Sequence, residues 1–347
     1  MKATVIRKDL QFITPGQTSR GTLYSKPSWF VILREDERTG TGECSVIPGL
    51  SPEYDTSLED KIKTAVMHLE KGDLSLENTS NLVPSIRFAL ETALLDLQQP
   101  GTGVLHPSDF TNGKQGIAIN GLVWMGTREE MKQRIKDKLN KGFGVLKLKV
   151  GALDFQEELS LLKEIRKTYP PEDLELRLDA NGAFSPASAL EKLKVLSAFH
   201  IHSVEQPIKP GFPEEMAFLC TQSPVPVALD EELIGINDPA EKLQLLETLQ
   251  PRYIILKPSL TGGLEKSNEW IAIAEQLGIG WWATSALESN VGLNAIAQWV
   301  FSLKPHLVQG LGTGQVFSNN INSPLELKGS YLYYNPAIPW QSPAGNV

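Results

Sequence analysis

Cysteine is almost missing from this chain: Cys44 and Cys220 are the two in 347 residues, far apart and outside any C-x-x-C pair. That excludes a disulfide framework and a cysteine-built zinc site. Long apolar runs are missing too. None approaches the roughly 18 residues that a membrane-spanning helix needs, and the opening MKATVIRKDLQFITPG has no apolar core of a signal peptide. Positive charge is in deficit, with 33 Lys and Arg against 41 Asp and Glu and a formal net charge of −8. Nucleic acid is thereby excluded as the main partner, because phosphate binding needs a basic face. A small anionic substrate stays compatible, since one local site can differ in sign from the whole. The expectation is a soluble, cytoplasmic protein without a membrane partner. Nothing in the sequence specifies an oligomeric state.

What is present is an ordinary globular composition, 41% hydrophobic and 21% charged. The length suits about two domains. Residues 1–115 read as one of them. Three β-rich runs, at 3–12, 22–34 and 40–47, precede helical patterns at 57–71 and 84–98. In the second, Ile86, Ala89, Leu90, Ala93, Leu94 and Leu97 recur at helical spacing. Strands first and helices after suggest an α+β unit. Residues 99–116 are rich in Gly, Pro, Ser and Thr and read as a linker.

From residue 117 strands and helices alternate strictly. Eight strands are expected, at 117–124, 145–151, 174–180, 201–206, 225–230, 253–258, 280–285 and 306–310, with seven helices between them. Polar residues mark their ends: Lys147, Asp179, Glu205, Asp230, Lys257, Ser285 and Gly312, spaced 25 to 32 residues apart. That period means parallel strands with crossover helices. Eight such units close into a barrel, predicted here over 116–318. An eighth helix is not evident. The proline-bearing tail, 319–347, is expected to return to the first domain and complete it. A doubly wound open sheet fits less well, because its Gly-rich first turn is missing.

Active sites of such barrels form at the C-terminal strand ends. Lys147 and Lys149 lie two apart in VLKLKVG, so both share one strand face, and Leu146 and Leu148 take the other. Two ammonium groups aimed into a barrel need partners. The next three strands end in Asp179 (LRLDANG), Glu205 (SVEQP) and Asp230 (VALDEE). Three hard oxygen ligands converging on one point suit Mg²⁺. Lys257 (YIILKPS) follows, so lysines flank the metal on both sides. A lysine beside another cation, or partly desolvated, has a lowered pKa and can act as a base. A divalent ion can hold a substrate carboxylate while the neighbouring proton leaves. The bland alternative is an internal ion-pair network in a non-catalytic binding barrel.

Other residues have two readings each. Arg177 is a cation supporting the acids or a barrel ion pair. Asn181 bonds to an acid or forms a turn. Ser285 and the amides of Gly312–Gly314 hold a substrate group or build a plain loop. His200 and His202, at the opposite end of their strand, read as structural, and Trp281 and Trp282 as packing residues. Neither Glu231 nor Glu288 is expected to bind metal directly. Glu231 follows Asp230, so on a strand it points the opposite way.

Taken together, KLK at 147–149, LDAN at Asp179, VEQP at Glu205, LDE at Asp230 and LKP at Lys257 resemble the enolase superfamily, in its muconate-lactonising branch. The resemblance covers nearly the whole chain. It implies an α/β fold: a (β/α)₇β TIM-like barrel with an N-terminal α+β capping domain. It implies that Asp179, Glu205 and Asp230 bind Mg²⁺, with Mn²⁺ as a possible substitute. Lys149 would be the acid/base and Lys257 its opposite number, with Lys147 in support.

Within that branch, SALESNVG at 285–292, GLGTG at 310–314 and TSRG at 18–21 are similar to the o-succinylbenzoate synthase family. Arg20 then sits in a loop that closes over substrate, and Ser285, Gly312 and Thr313 lie near the succinyl group. The implied reaction uses a small-molecule carboxylate. It is the syn-dehydration of 2-succinyl-6-hydroxy-2,4-cyclohexadiene-1-carboxylate to 2-succinylbenzoate through an enediolate, a step of menaquinone synthesis. Dipeptide epimerases of the branch carry acids on strand eight, where this chain has Gly312-Thr313-Gly314. The alternative inside the superfamily is an N-acylamino acid racemase or a cycloisomerase using the same lysines.

Overall fold

The structure is a computed structural model that describes residues 1–18, 21–99 and 102–345. Three antiparallel strands come first, β1 (Lys2–Thr18), β2 (Gly21–Glu35) and β3 (Arg38–Ser45), in that spatial order. Side chains alternate along β2. Trp29, Val31 and Leu33 face helices α1 (Leu58–Lys71) and α2 (Pro84–Gln98), meeting Ile62, Ile86, Ala89 and Ala93. Phe30 faces the other way and packs on Val291 and Ile321. Two glycines let α2 lie against β3: a Cβ at Gly40 would stand 2.1 Å from the Ala93 carbonyl oxygen, and one at Gly42 1.9 Å from that of Ala89.

The second unit begins with β4 (Ile117–Ala118), β5 (Gly121–Val123), α3 (Arg128–Asn140), β6 (Val145–Lys149), α4 (Phe155–Thr168), β7 (Glu175–Asp179) and α5 (Pro186–Ser197). It continues with β8 (Ser203–Glu205), α6 (Pro213–Gln222), β9 (Val227–Leu229), α7 (Pro239–Leu249), β10 (Tyr253–Leu256), α8 (Pro258–Thr261) and α9 (Gly263–Gln276). Then come β11 (Gly280–Ala283), α10 (Asn290–Leu303) and the hairpin β12 (Leu325–Lys328) and β13 (Tyr331–Tyr334). Strands β5 to β11 form one parallel sheet in sequence order. Leu146, Leu148, Leu176 and Leu178 pack outward with Leu161, Leu162 and Ile165 of α4. The alternating strand and helix pattern is the expected one, and it yields the (β/α)₇β barrel.

Three details differ from the sequence reading. The first barrel strand is broken at Ile119 and Asn120. The last is irregular: Gln309 and Gly310 make single parallel bridges to Ile119 and Thr284, so that short segment joins the two sheet edges. Residues 99–116 are packed rather than loose. The N–H groups of Leu105 and His106 both donate to Gln298 Oε1, and Phe110 is buried. A segment lying over a buried helix must satisfy its polar backbone groups there.

The tail hairpin pairs with β4 through β13. Just before it, Asn319 bonds to β1, accepting the Gln11 N–H and donating to the Asp9 carbonyl. The N-terminal cap is also fastened by Glu43 of β3, which accepts the Ser289 N–H at 2.9 Å, the Ser289 hydroxyl at 2.6 Å and the Gly292 N–H at 3.0 Å. No helix among the described residues is long and apolar enough to cross a membrane.

Candidate active site

Strand register brings the charged residues together. Lys149 pairs with Asp179, and Asp179 with Glu205, across three neighbouring strands. Asp230 follows β9 directly, and Lys257 follows β10. Asp179, Glu205 and Asp230 are all buried. Lys147 Nζ lies 3.0 Å from Asp179 Oδ2 and 2.5 Å from Glu205 Oε2. Lys149 Nζ donates to Asp179 Oδ2 at 3.0 Å and to Asn181 Oδ1 at 2.6 Å. Lys257 Nζ donates to Asp230 Oδ2. One cavity over these strand ends is lined by Lys147, Lys149, Asp179, Asn181, Lys257, Ser285, Gly312 and Thr313, all of them singled out from sequence. Glu205 joins them through Lys147, and Asp230 through Lys257.

The charges decide the protonation. Burial alone would raise the Asp179 carboxyl, but Lys147, Lys149 and Lys257 hold it far below its usual range. Burial raises the Glu205 carboxyl, and the neighbouring Asp179 and Asp230 outweigh Lys147 in keeping it up. Burial would lower Lys147 and Lys257; Asp179 and Glu205 raise the first, and Asp230, with Glu205, raises the second. The expected lowering of a lysine pKa is therefore overturned at these two, because carboxylates stand closer than any other ammonium. Among the described residues no three Asp, Glu, His or Cys side chains form a ready metal cage; instead Lys147 bridges two of the acids. The donors nonetheless fit a hard divalent ion. They are three carboxyls from adjacent strands, and Glu205 Oε1 is buried without a hydrogen-bond partner.

Some expectations need correction. Glu231 does not point away. The strand stops at Leu229 and Glu231 opens a 3₁₀ turn to Leu233, so strand alternation no longer applies. Glu231 lines the cavity and accepts from Asn181 Nδ2 at 3.1 Å, and burial with the Asp230 charge pushes its carboxyl up to about 7. Arg177 does not join the site. Its Nε donates to Glu175 Oε1, its Nη1 donates to the Val308 carbonyl, and the guanidinium lies over Trp282. Arg20 lies outside the described residues.

Ser285 is placed at the cavity, yet its hydroxyl is committed: Oγ donates to Glu288 Oε2 at 2.6 Å and accepts from the Leu287 N–H at 2.9 Å. Glu288 also accepts from Ser259, two residues beyond Lys257. The sequence reading missed Asn120, Leu122 and Trp124 of the first strand, and Ile47, Pro48 and Leu50 from the cap, all of which line the cavity.

Residues 130–335 match the family described as Enolase C-terminal domain-like. The chain is 45% identical to an o-succinylbenzoate synthase of Desulfotalea psychrophila, over 96% of this chain and 98% of the relative. It is 28% identical to an o-succinylbenzoate synthase of Escherichia coli, over 84% of each. Its structure matches the crystal structure of MenC from Desulfotalea psychrophila with a TM-score of 0.84 and 43% identity, covering 96% of this chain and 99% of that one. A muconate lactonizing enzyme of Pseudomonas fluorescens, 22% identical, shares the fold with a TM-score of 0.81 over 98% of this chain and 95% of that one. The chain belongs to the enolase superfamily and, within it, to the o-succinylbenzoate synthase family of enzymes.

Proposed function

We propose that this enzyme dehydrates 2-succinyl-6-hydroxy-2,4-cyclohexadiene-1-carboxylate to 2-succinylbenzoate, a step of menaquinone synthesis, with Mg²⁺ bound by Asp179, Glu205 and Asp230. Lys149 and Lys257 carry this reading: they reach one cavity from the second and sixth barrel strands, on either side of the three acid-bearing strands. The metal, Mg²⁺ or Mn²⁺ in its place, would supply positive charge for the substrate carboxylate. Lys147, now held by Asp179 and Glu205, would meet the same carboxylate.

Lys149, in its neutral form, takes the proton from the carbon beside that carboxylate. As the lysine is then an ammonium, it returns the proton to the hydroxyl that departs from the same face. One C–H and one C–O bond break, a ring double bond forms, and water leaves. Asp179 and Asn181 hold the Lys149 nitrogen in place throughout. Lys257 stays protonated beside Asp230 and stabilises the negative charge that builds on the substrate oxygens. Gly312-Thr313-Gly314 offers no carboxylate at the eighth strand end, which disfavours a substrate with a free amine. The test is product formation from the cyclohexadiene substrate by purified protein with Mg²⁺. Conversion supports the reading. Absence of conversion, with racemisation of an N-acylamino acid instead, replaces it.

A further inference from the structure

A buried charged cluster lies where the cap meets the loop after the seventh barrel strand. Lys26 of β2, Glu43 of β3 and Glu288 are each 0% exposed. Lys26 Nζ donates to Ser45 Oγ at 2.6 Å and to Ser28 Oγ at 3.1 Å. The Ser28 hydroxyl in turn donates to Glu43 Oε1 at 2.8 Å. Together with the donors of Ser289 and Gly292, this fills the lone pairs of the Glu43 carboxylate. Glu288 reaches the same place from the barrel. A Cβ on Gly292 would stand 2.7 Å from Glu288 Cγ and 3.0 Å from Glu43 Oε2. Burial raises the Glu288 carboxyl and Glu43 adds to that, while Ser259, Ser285 and Lys26 oppose it. Burial lowers Lys26, and Glu43 and Glu288 pull it back. Buried carboxylates are costly unless a cation and hydrogen bonds meet them, and here the cap supplies the cation.

Such a cluster is a weak stabiliser, since apolar side chains of similar volume serve a core as well or better. What it holds is the geometry beside Lys257. The parallel pairing of β10 with β11 ends where the Thr284 N–H donates to the Leu256 carbonyl at 2.9 Å. Lys257 comes next on one side and Ser285 on the other. Glu288 carries the join beyond that point. It accepts from Ser259, two residues past Lys257, and from Ser285 at 2.6 Å. The loop it holds is strained. Leu287 has φ +60, which few residues other than glycine adopt, and its N–H donates to the Ser285 hydroxyl at 2.9 Å. Such backbone persists only where its surroundings over-determine it. Ser285, Ala286 and Leu287 line the cavity together with Lys257.

We propose that Glu288 is a positioning residue for Lys257, and that Lys26 of the cap fixes Glu288 in that role. Glu288 is not part of the cavity lining. It acts by clamping the Lys257 turn to the loop of the seventh strand. A cap seated through Glu43 and Lys26 thereby sets the cation that stabilises the charged intermediate. This rests on the dehydratase reading, in which Lys257 acts on the intermediate more than on the bound substrate.

The test combines kcat and KM for dehydration with Mg²⁺, calorimetric affinity for 2-succinylbenzoate, and thermal melts. Glu288→Gln keeps the shape but replaces one acceptor oxygen by a donor. Its kcat should fall about 10- to 100-fold, the scale of a small misplacement at the reacting centre, while KM and 2-succinylbenzoate affinity stay within about threefold. Ser259→Ala cuts only the tie to the Lys257 turn and should show the same split, so it decides the matter if Glu288→Gln does not fold. Lys26→Met should lower kcat in the same way and add little to Glu288→Gln in the double variant, because both act through one clamp. A lower melting temperature with kcat within about twofold of wild type in Glu288→Gln and Ser259→Ala marks a purely structural cluster and overturns the positioning role. A raised KM with unmoved kcat also overturns it. Additive kcat losses in the double variant overturn the part given to Lys26. Wild-type protein that fails to dehydrate the substrate overturns the function itself; wild-type turnover with unmoved variants overturns the clamp alone.

Discussion

The carboxylate of Glu91 on α2 accepts the N–H groups of Leu264 at 2.6 Å and Glu265 at 2.9 Å, in the first turn of barrel helix α9. One cap residue thus satisfies two donors that a helix start leaves open. Burial pushes the Glu91 carboxyl up from 4.5 to about 7, against the weaker pull of those N–H groups and Arg87. The folded protein therefore binds this proton more tightly than the unfolded chain. The resulting stability is complete below about pH 4.5 and is lost as the pH rises through about 7, a span worth up to ~3 kcal/mol. Asp96, raised by burial to about 6, acts in the same direction. The urea midpoint should fall between about pH 5 and pH 8, and Glu91→Gln should flatten much of that slope. A midpoint that rises over this range would contradict the assignment.

Gly263 makes the same contact possible. It has φ +89, and a Cβ there would stand 2.2 Å from Glu91 Oε2. Gly263→Ala combines an unfavourable backbone with a clash against a buried carboxylate, so a loss of about 2–4 kcal/mol is expected. Gly142 is a control, with φ +80 and nothing within 4 Å of the place a Cβ would occupy. Gly142→Ala should cost only the backbone part, about 1 kcal/mol. Thermal melts of the two variants separate the contributions, and equal shifts would remove the Glu91 contact as the cause.

These cases show which relationships a sequence carries. The 25-to-32-residue spacing from Lys147 to Gly312 exposes the barrel, because each strand and crossover helix repeats one physical unit. Alternation within VLKLK puts Lys147 and Lys149 together, and parallel pairing sets Lys149 beside Asp179. Alternation fails two residues past the end of β9, where the 3₁₀ turn swings Glu231 into the cavity. It is silent about contacts such as Glu91 with Leu264, 173 residues apart. The composition of 99–116 suggested a loose linker, but Gln298, far along the chain, supplies the hydrogen bonds that pin it.

Metal binding distinguishes the acids. Asp179 and Asp230 are carboxylates at barrel strand ends, each held by lysine, whereas Glu231 reaches the cavity from the turn and bonds to Asn181. Calorimetric titration with Mg²⁺ should show losses of more than about 100-fold for Asp179→Asn and Asp230→Asn. Glu231→Gln should lose about tenfold at most, the lower range for a residue that only supports a ligand. Chelation with EDTA should abolish dehydration, and added Mg²⁺ should restore it. Equal losses in Glu231→Gln and Asp230→Asn would make Glu231 a ligand, and full activity in metal-stripped protein would end the metal-dependent mechanism.

The two lysines are separated by arginine. Lys149 is held by Asp179 and Asn181, and Lys257 by Asp230. Alanine at either position should abolish dehydration, because one change removes the proton carrier and the other removes a cation worth several kcal/mol to the charged intermediate. Arginine keeps the charge but is effectively never deprotonated. Lys149→Arg therefore cannot take the proton, and its rate should fall at least about 1,000-fold, within the range for loss of a general base. Lys257→Arg keeps a cation beside Asp230 and should retain measurable dehydration if the larger guanidinium is accommodated. Any racemisation of an N-acylamino acid would need a base on each face, so Lys257→Arg should eliminate it while some dehydration survives. Single-turnover rates of the two arginine variants decide the matter. Substantial activity in Lys149→Arg with none in Lys257→Arg would reverse the roles and make Lys257 the proton carrier.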